Sequence, residues 1–177
     1  MEAYEMEESI PKHIAIIMDG NRRWARNKNI PTQLGHNQGA KTLEEIAKVC
    51  EEKGVQYLTV FAFSTENWNR SKEEVDHLME LLAKNISDFD KRFNNREVRI
   101  RMLGNRDGLP EKLQKGISEI EERTKNKKDL TVNIAINYGG RAEIIQATKR
   151  IAEDIKNGKI SEVEEINEAL LTKYMYT

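Results

Sequence analysis

The 177-residue chain has one cysteine, three prolines, three histidines and only 6% aromatic residues. A lone cysteine excludes an intramolecular disulfide framework and fits a reducing compartment, so the expected location is cytoplasmic. Cys50 falls on the apolar side of a helical pattern and is read as core, since free cysteine packs as a small hydrophobe. Neither sign of charge prevails: 29 Lys and Arg face 30 Asp and Glu, for a formal charge of −1. The basic face that duplex binding requires is therefore not expected, and nucleic acid is not an expected partner. No apolar run reaches the ~18 residues of a membrane span. The opening MEAYEMEESIPK is acidic and polar, unlike a secretion signal. Residues 1–12 are read as a polar tail and 13–177 as a single domain. A metal site of the Cys/His kind is not expected, and neither a phosphate loop ending in Gly-Lys-Ser/Thr nor a nucleophile elbow occurs.

What is present alternates between two periods. Residues 13–19, 56–64, 98–104 and 130–138 are rich in β-branched residues and read as strands. The first, second and fourth are nearly continuous in apolar residues, which predicts strands covered on both faces. Helical spacing links Leu43, Ile46, Ala47 and Cys50 from about Ala40, with Gly54 as a stop. A second helix opens at Ser71, where Ser-Lys-Glu-Glu forms a capping box with Glu74. It carries a long stripe: Val75, Leu78, Met79, Leu82, Ile86, Phe89 and Phe93. Further helices are predicted over 111–124 and 142–157, and a last one from a capping box at Ser161 and Glu164. The order implies an α/β fold, a mainly parallel sheet flanked by helices and joined by right-handed crossovers.

In such sheets ligands bind beyond the carboxyl ends of the strands. Three strands end in polar clusters that should share one rim: Asp19-Gly20-Asn21-Arg22-Arg23-Trp24, Ser64-Thr65-Glu66-Asn67-Trp68-Asn69-Arg70, and Asn137-Tyr138-Gly139-Gly140-Arg141. Gly20 permits close backbone approach, and Arg22 and Arg23 offer forked donors suited to phosphate oxygens. Asp19 would repel a phosphate unless a cation stood between them, which implies Mg2+. Read alone, Asp19 could as well cap a turn. His36 lies between two glycines at the predicted entrance of the first long helix and is either a cap donor or an anion contact. The Asn137–Arg141 cluster reads most simply as a turn before a helix.

Four segments, "HIAIIMDGNRRWA", "GHNQGA", "AFSTENWNR" and "NIAINYGGR", together resemble the cis-prenyltransferases, the family of undecaprenyl diphosphate synthase. The resemblance implies condensation of isopentenyl diphosphate onto an allylic diphosphate such as farnesyl diphosphate, with Mg2+ and cis double bonds. It implies an undecaprenyl diphosphate synthase-like homodimer, a carrier-lipid precursor of the cell wall as product, and transient membrane association through that lipid. Asp19 then corresponds to the residue holding Mg2+. Gly20, Asn21, Arg22, Arg23 and Trp24 correspond to the loop that holds the allylic diphosphate, assisted by His36. Ser64, Thr65, Glu66, Asn67, Trp68 and Arg70 correspond to the segment ordering the reacting ends. Within it Asn67 is the family's proton acceptor, although an amide is a weak base and orients groups better than it accepts protons. The 71–93 stripe is a candidate wall for the prenyl tail.

Two residues depart from the pattern: Arg22 replaces the family's usual glycine, and Thr32 replaces an arginine that reaches the diphosphate. Arg22 could compensate for Thr32, one cation moving across the site. The family continues with a further strand and an Arg-x-x-Gly-Glu-x-Arg-x-Ser segment that binds isopentenyl diphosphate. None occurs before Thr177, so the expectation is a truncated domain lacking its C-terminal strand. The alternatives are a relative making a short, branched or cyclised product, and a fragment or partner subunit that binds diphosphate without turnover.

Overall fold

A computed structural model describes residues 10–93 and 96–176. Most of the polar tail predicted over 1–12 lies outside them. Four strands, β1 (His13–Ile17), β2 (Tyr57–Ser64), β3 (Val98–Leu103) and β4 (Leu130–Tyr138), form one sheet in the order β1-β2-β4-β3. All three pairings are parallel. Every carboxyl end therefore lies on one edge, as the α/β reading requires.

The helices are α1 (Asn21–Asn27), α2 (Thr32–Glu52), α3 (Lys72–Ser87), α4 (Phe89–Arg92), α5 (Glu111–Thr124), α6 (Gly140–Lys156) and α7 (Glu168–Tyr174). Two short 3-10 turns cover Thr65–Asn69 and Val163–Glu165. Leu58, Val60, Val132, Ile134, Val98 and Ile100 share a sheet face by register and meet Ala47, Leu78, Leu113 and Ile117 in the main core. Cys50 is buried there, and burial pushes its thiol pKa up. β2 and β4 bury residues on both faces, but β1 does not. Ile14 and Ile16 turn half-buried toward the core, whereas Ile17 on the other face is 75% exposed. An apolar run alone does not distinguish an edge strand from an inner one.

Three helix boundaries differ from expectation. The stripe from Ser71 to Phe93 is broken at Asp88 into α3 and α4. The cap predicted at Ser161 belongs to Glu162, which pairs with Glu165 across the second 3-10 turn, and α7 is capped instead by Asn167 through the Leu170 N–H. Most consequentially, α2 begins at Thr32 rather than near Ala40, with Pro31 presetting the backbone just before it. Gly35 and Gly39 thus lie inside a helix, where glycine is unfavourable by about 1 kcal/mol each. Packing explains them. A Cβ at Gly35 would stand 2.3 Å from the Asn21 carbonyl oxygen, and one at Gly39 would stand 2.7 Å from the Asn21 side-chain amide. The two glycines let α1 settle onto α2 and fix the segment that follows β1.

Gly35→Ala should therefore lower unfolding stability by about 1–3 kcal/mol, the usual cost of overpacking. Gly116→Ala, whose Cβ would meet Ile86 Cγ2 at 3.4 Å, should be neutral or stabilising by up to ~1 kcal/mol. Urea unfolding of the two variants checks the contrast, and equal effects would contradict the packing account.

Candidate active site

Two residues past β1 the chain turns at Asp19, and Gly20 adopts φ 92°, a conformation that favours glycine. The Gly20 N–H donates to Asp19 Oδ1 (2.6 Å) and the Arg23 guanidinium donates to Oδ2 (3.2 Å). Asp19 does cap this turn, yet its carboxylate remains 79% exposed. Ala25 is buried under α1 while Arg22 and Arg23 stay exposed on its outer side. Trp24 does not join them at the main cavity. It borders a separate space of about 370 Å³ between β1, α1 and α2, with the Lys28 ammonium 4.6 Å from its ring centre.

His36 lies in the second turn of α2, not at its entrance, and is buried. Burial depresses its pKa below the ordinary histidine value despite the opposing pull of Glu74. It is thus neutral at neutral pH, and Nε2 donates to Glu74 Oε1 (3.2 Å). The same oxygen accepts from Arg70 Nη1 (2.9 Å) and lies 3.7 Å from Arg22 Nε. Glu74 therefore gathers side chains from α1, α2 and the segment before α3. The sequence reading assigned it only to the Ser71 cap, and its N–H does donate to Ser71 Oγ, weakly, at 3.4 Å. Its four-residue spacing from Arg70 was the available signal.

At the end of β2 the 3-10 turn is tied in both directions. Asn67 Oδ1 accepts the Ser64 N–H (3.1 Å), and the Ser64 side chain accepts from the Asn67 N–H. The side-chain carbonyl being engaged, Asn67 presents its NH2 group, a donor. Ser64, Asn67 and Arg70 border the main cavity, whereas Thr65, Glu66 and Trp68 do not. Trp68 Nε1 donates to Asn137 Oδ1 (2.8 Å) and its ring meets Phe63 edge-on. Thr65 packs where a Cβ on Gly139 would collide with its hydroxyl, and Glu66 is exposed. Trp68 and Thr65 brace the turn. Gly139 and Gly140 open α6.

The main cavity measures about 680 Å³. One end gathers Asp19, Gly20, Asn21, Arg22, Arg23, His36, Ser64, Asn67 and Arg70, together with Arg26, which sequence reasoning missed. The rest is mostly apolar. Leu78, Leu82, Ile86, Phe89 and Phe93 of the stripe face Ala62, Ile100, Val132 and Ile136, while Val75 and Met79 pack into the core. Among the described residues no cluster of three or more Asp, Glu, His or Cys could cage a metal. Asp19 offers instead one exposed carboxylate beside arginines. That suits Mg2+, which commonly takes one or two carboxylates and completes its shell with water and substrate phosphates.

A family model described as putative undecaprenyl diphosphate synthase matches residues 17–177. The chain belongs to the undecaprenyl diphosphate synthase family. An isoprenyl transferase of Fusobacterium nucleatum is 50% identical over 97% of the chain and 71% of the relative. The tritrans,polycis-undecaprenyl-diphosphate synthase (geranylgeranyl-diphosphate specific) of Pyrococcus horikoshii is 47% identical over 94% of this chain and 64% of its own length. The crystal structure of lavandulyl diphosphate synthase from Lavandula x intermedia, in complex with dimethylallyl diphosphate, superposes with a TM-score of 0.87. It is 32% identical, covering 93% of this chain and 70% of that one. The names of the two curated relatives describe isoprenyl transfer and, for the Pyrococcus protein, a polycis product.

The depressed His36 pKa means that the unfolded chain binds more protons below neutrality, so this group's effect is to lower stability as pH falls through the histidine range. In an NMR titration His36 should titrate below the ordinary histidine value. Glu74→Gln should move it lower still, since the carboxylate raises it. An upward movement in that variant would contradict the arrangement.

Proposed function

We propose that the chain condenses isopentenyl diphosphate onto an allylic diphosphate with Mg2+, giving a linear cis-polyprenyl diphosphate of the carrier-lipid kind. The observation that carries the proposal is the two-part character of one cavity, cationic at the sheet's carboxyl edge and apolar along α3 and α4. Such a lining suits an amphiphile with a diphosphate head and a hydrocarbon tail. Arg22, Arg23 and Arg70 take the head group's charge, the Gly20–Asn21 backbone approaches its oxygens, and neutral His36 transfers its single N–H from Glu74 to the head group. Asp19 would hold Mg2+ against the phosphates. When bound, the ion supplies charge neutralisation for the departing diphosphate.

In the reaction the allylic C1–O bond breaks and C1 joins the terminal carbon of the isopentenyl double bond. A proton then leaves C2 of the isopentenyl unit. Asn67 is a poor acceptor for it, because an amide is a very weak base and its carbonyl already accepts the Ser64 N–H. The proton goes to a diphosphate oxygen, and Asn67 orients the group that takes it. Similarity to lavandulyl diphosphate synthase, with Arg22 lining the cavity, supports a second reading in which the product is short and branched. The long apolar wall favours the linear product.

Incubation with farnesyl diphosphate, labelled isopentenyl diphosphate and Mg2+ should give label in prenyl diphosphates at least one unit longer, sized by chromatography. A single branched condensation product would favour the second reading, and absence of label in any product would overturn both. Arg22→Gly should weaken farnesyl diphosphate binding about tenfold or more, the scale of one charged hydrogen bond. Unchanged affinity would remove Arg22 from the head-group site. Asp19→Ala should abolish the Mg2+ dependence of that binding.

A further inference from the structure

Beyond the cationic end, the apolar lining of the main cavity is interrupted at Glu44 of α2, Asn85 of α3 and Arg92 of α4. Asn85 turns its amide back to the Leu81 carbonyl of its own helix (2.7 Å). The other two face each other across the gap between helices. Arg92 Nη1 donates to Glu44 Oε2 (3.0 Å), and Lys48 Nζ donates to Glu44 Oε1 (2.7 Å). Both carboxylate oxygens are thereby engaged. The Glu44 and Arg92 side chains are 21% and 27% exposed, so the pair is partly wetted where it lines the cavity. Glu44 follows His36 by eight residues, about 12 Å along the α2 axis. The helix break at Asp88 frees α4 to bring Arg92 to this position, beside the stacked rings of Phe89 and Phe93.

We propose that the Glu44–Arg92 pair is a specificity-determining latch that sets the longest prenyl tail the cavity holds. The proposal rests on the prenyl diphosphate reading above. A tail that ends short of the pair buries its methylenes against Leu82, Ile86 and Phe89 and leaves both ions paired and partly wet. A longer tail must pass between α2 and α4. It then separates the ions and desolvates them against hydrocarbon, which costs more than burial of the added methylenes returns. Removing either partner widens the space between α2 and α4 that a longer tail would enter.

The experiment measures equilibrium binding of prenyl diphosphates of increasing tail length, from three isoprene units upward, to the full chain with Mg2+. In the unsubstituted protein affinity should rise with length and then stop rising at a definite tail. Arg92→Ala should move that limit outward by at least one unit, with about tenfold tighter binding of the first tail beyond it. Glu44→Ala should move it the same way, giving an independent variant should one of the two fail to fold by circular dichroism. Arg92→Lys, which keeps the cation, should keep the limit. If farnesyl diphosphate binds but the limit stays fixed in both alanine variants, the latch is overturned and the prenyl diphosphate reading stands. If the folded, unsubstituted chain binds no prenyl diphosphate of any length, that reading falls and the latch with it.

Discussion

Cations gathered at one end of an apolar cavity repel one another and lose hydration, so they require a fixed counter-charge. Glu74 supplies it. One of its carboxylate oxygens receives His36 and Arg70 and stands close to Arg22, drawing together α1, α2 and the turn after β2. At 14% side-chain exposure it is screened far less than a surface ion pair. The arrangement is held in place without a ligand, so little reorganisation is needed when an anion arrives. A diphosphate carries more charge than one carboxylate and can take over these donors without their backbones moving.

Backbone placement comes from the sheet and from one close helix contact. Parallel pairing puts the ends of β1, β2 and β4 on the same edge, so residues distant in sequence, such as Asp19 and Ser64, become neighbours of one space. The contact of Asn21 with Gly35 and Gly39 then locks the segment after β1 against α2. Asp19 is exposed, but the backbone on either side of it is not free to wander.

Strands β2, β3 and β4 were legible in the sequence within a residue, because β-branched runs bounded by turn residues leave few alternatives. The α5 boundaries were legible for a similar reason, its apolar spacing being regular between Pro110 and a polar loop. α1 was not, since seven residues span too few turns to reveal a period. The start of α2 was hidden by Gly35 and Gly39, whose poor helix propensity is overridden by packing that only the folded chain displays. The motifs located the cationic end of the cavity but could not separate residues that line it, such as Asn67, from those that brace the turn beside it, such as Trp68. Glu44 and the wider role of Glu74 were hidden as well, because the partners Arg22, His36 and Arg92 lie 38 to 52 residues away.

The position of β4 between β2 and β3 has a consequence for how the protein emerges during translation. The residues of the cationic end and its Glu74 counter-charge, from Asp19 to Glu74, and the β1–β2 pairing that spaces them are all encoded before the strand that completes the sheet. At ordinary elongation rates Tyr138 follows Ser64 by on the order of ten seconds. For that interval the nascent chain carries an unpaired β2 edge and half of an apolar channel, which are the features chaperones recognise. The cationic end of the cavity is encoded first, and its apolar part is enclosed last.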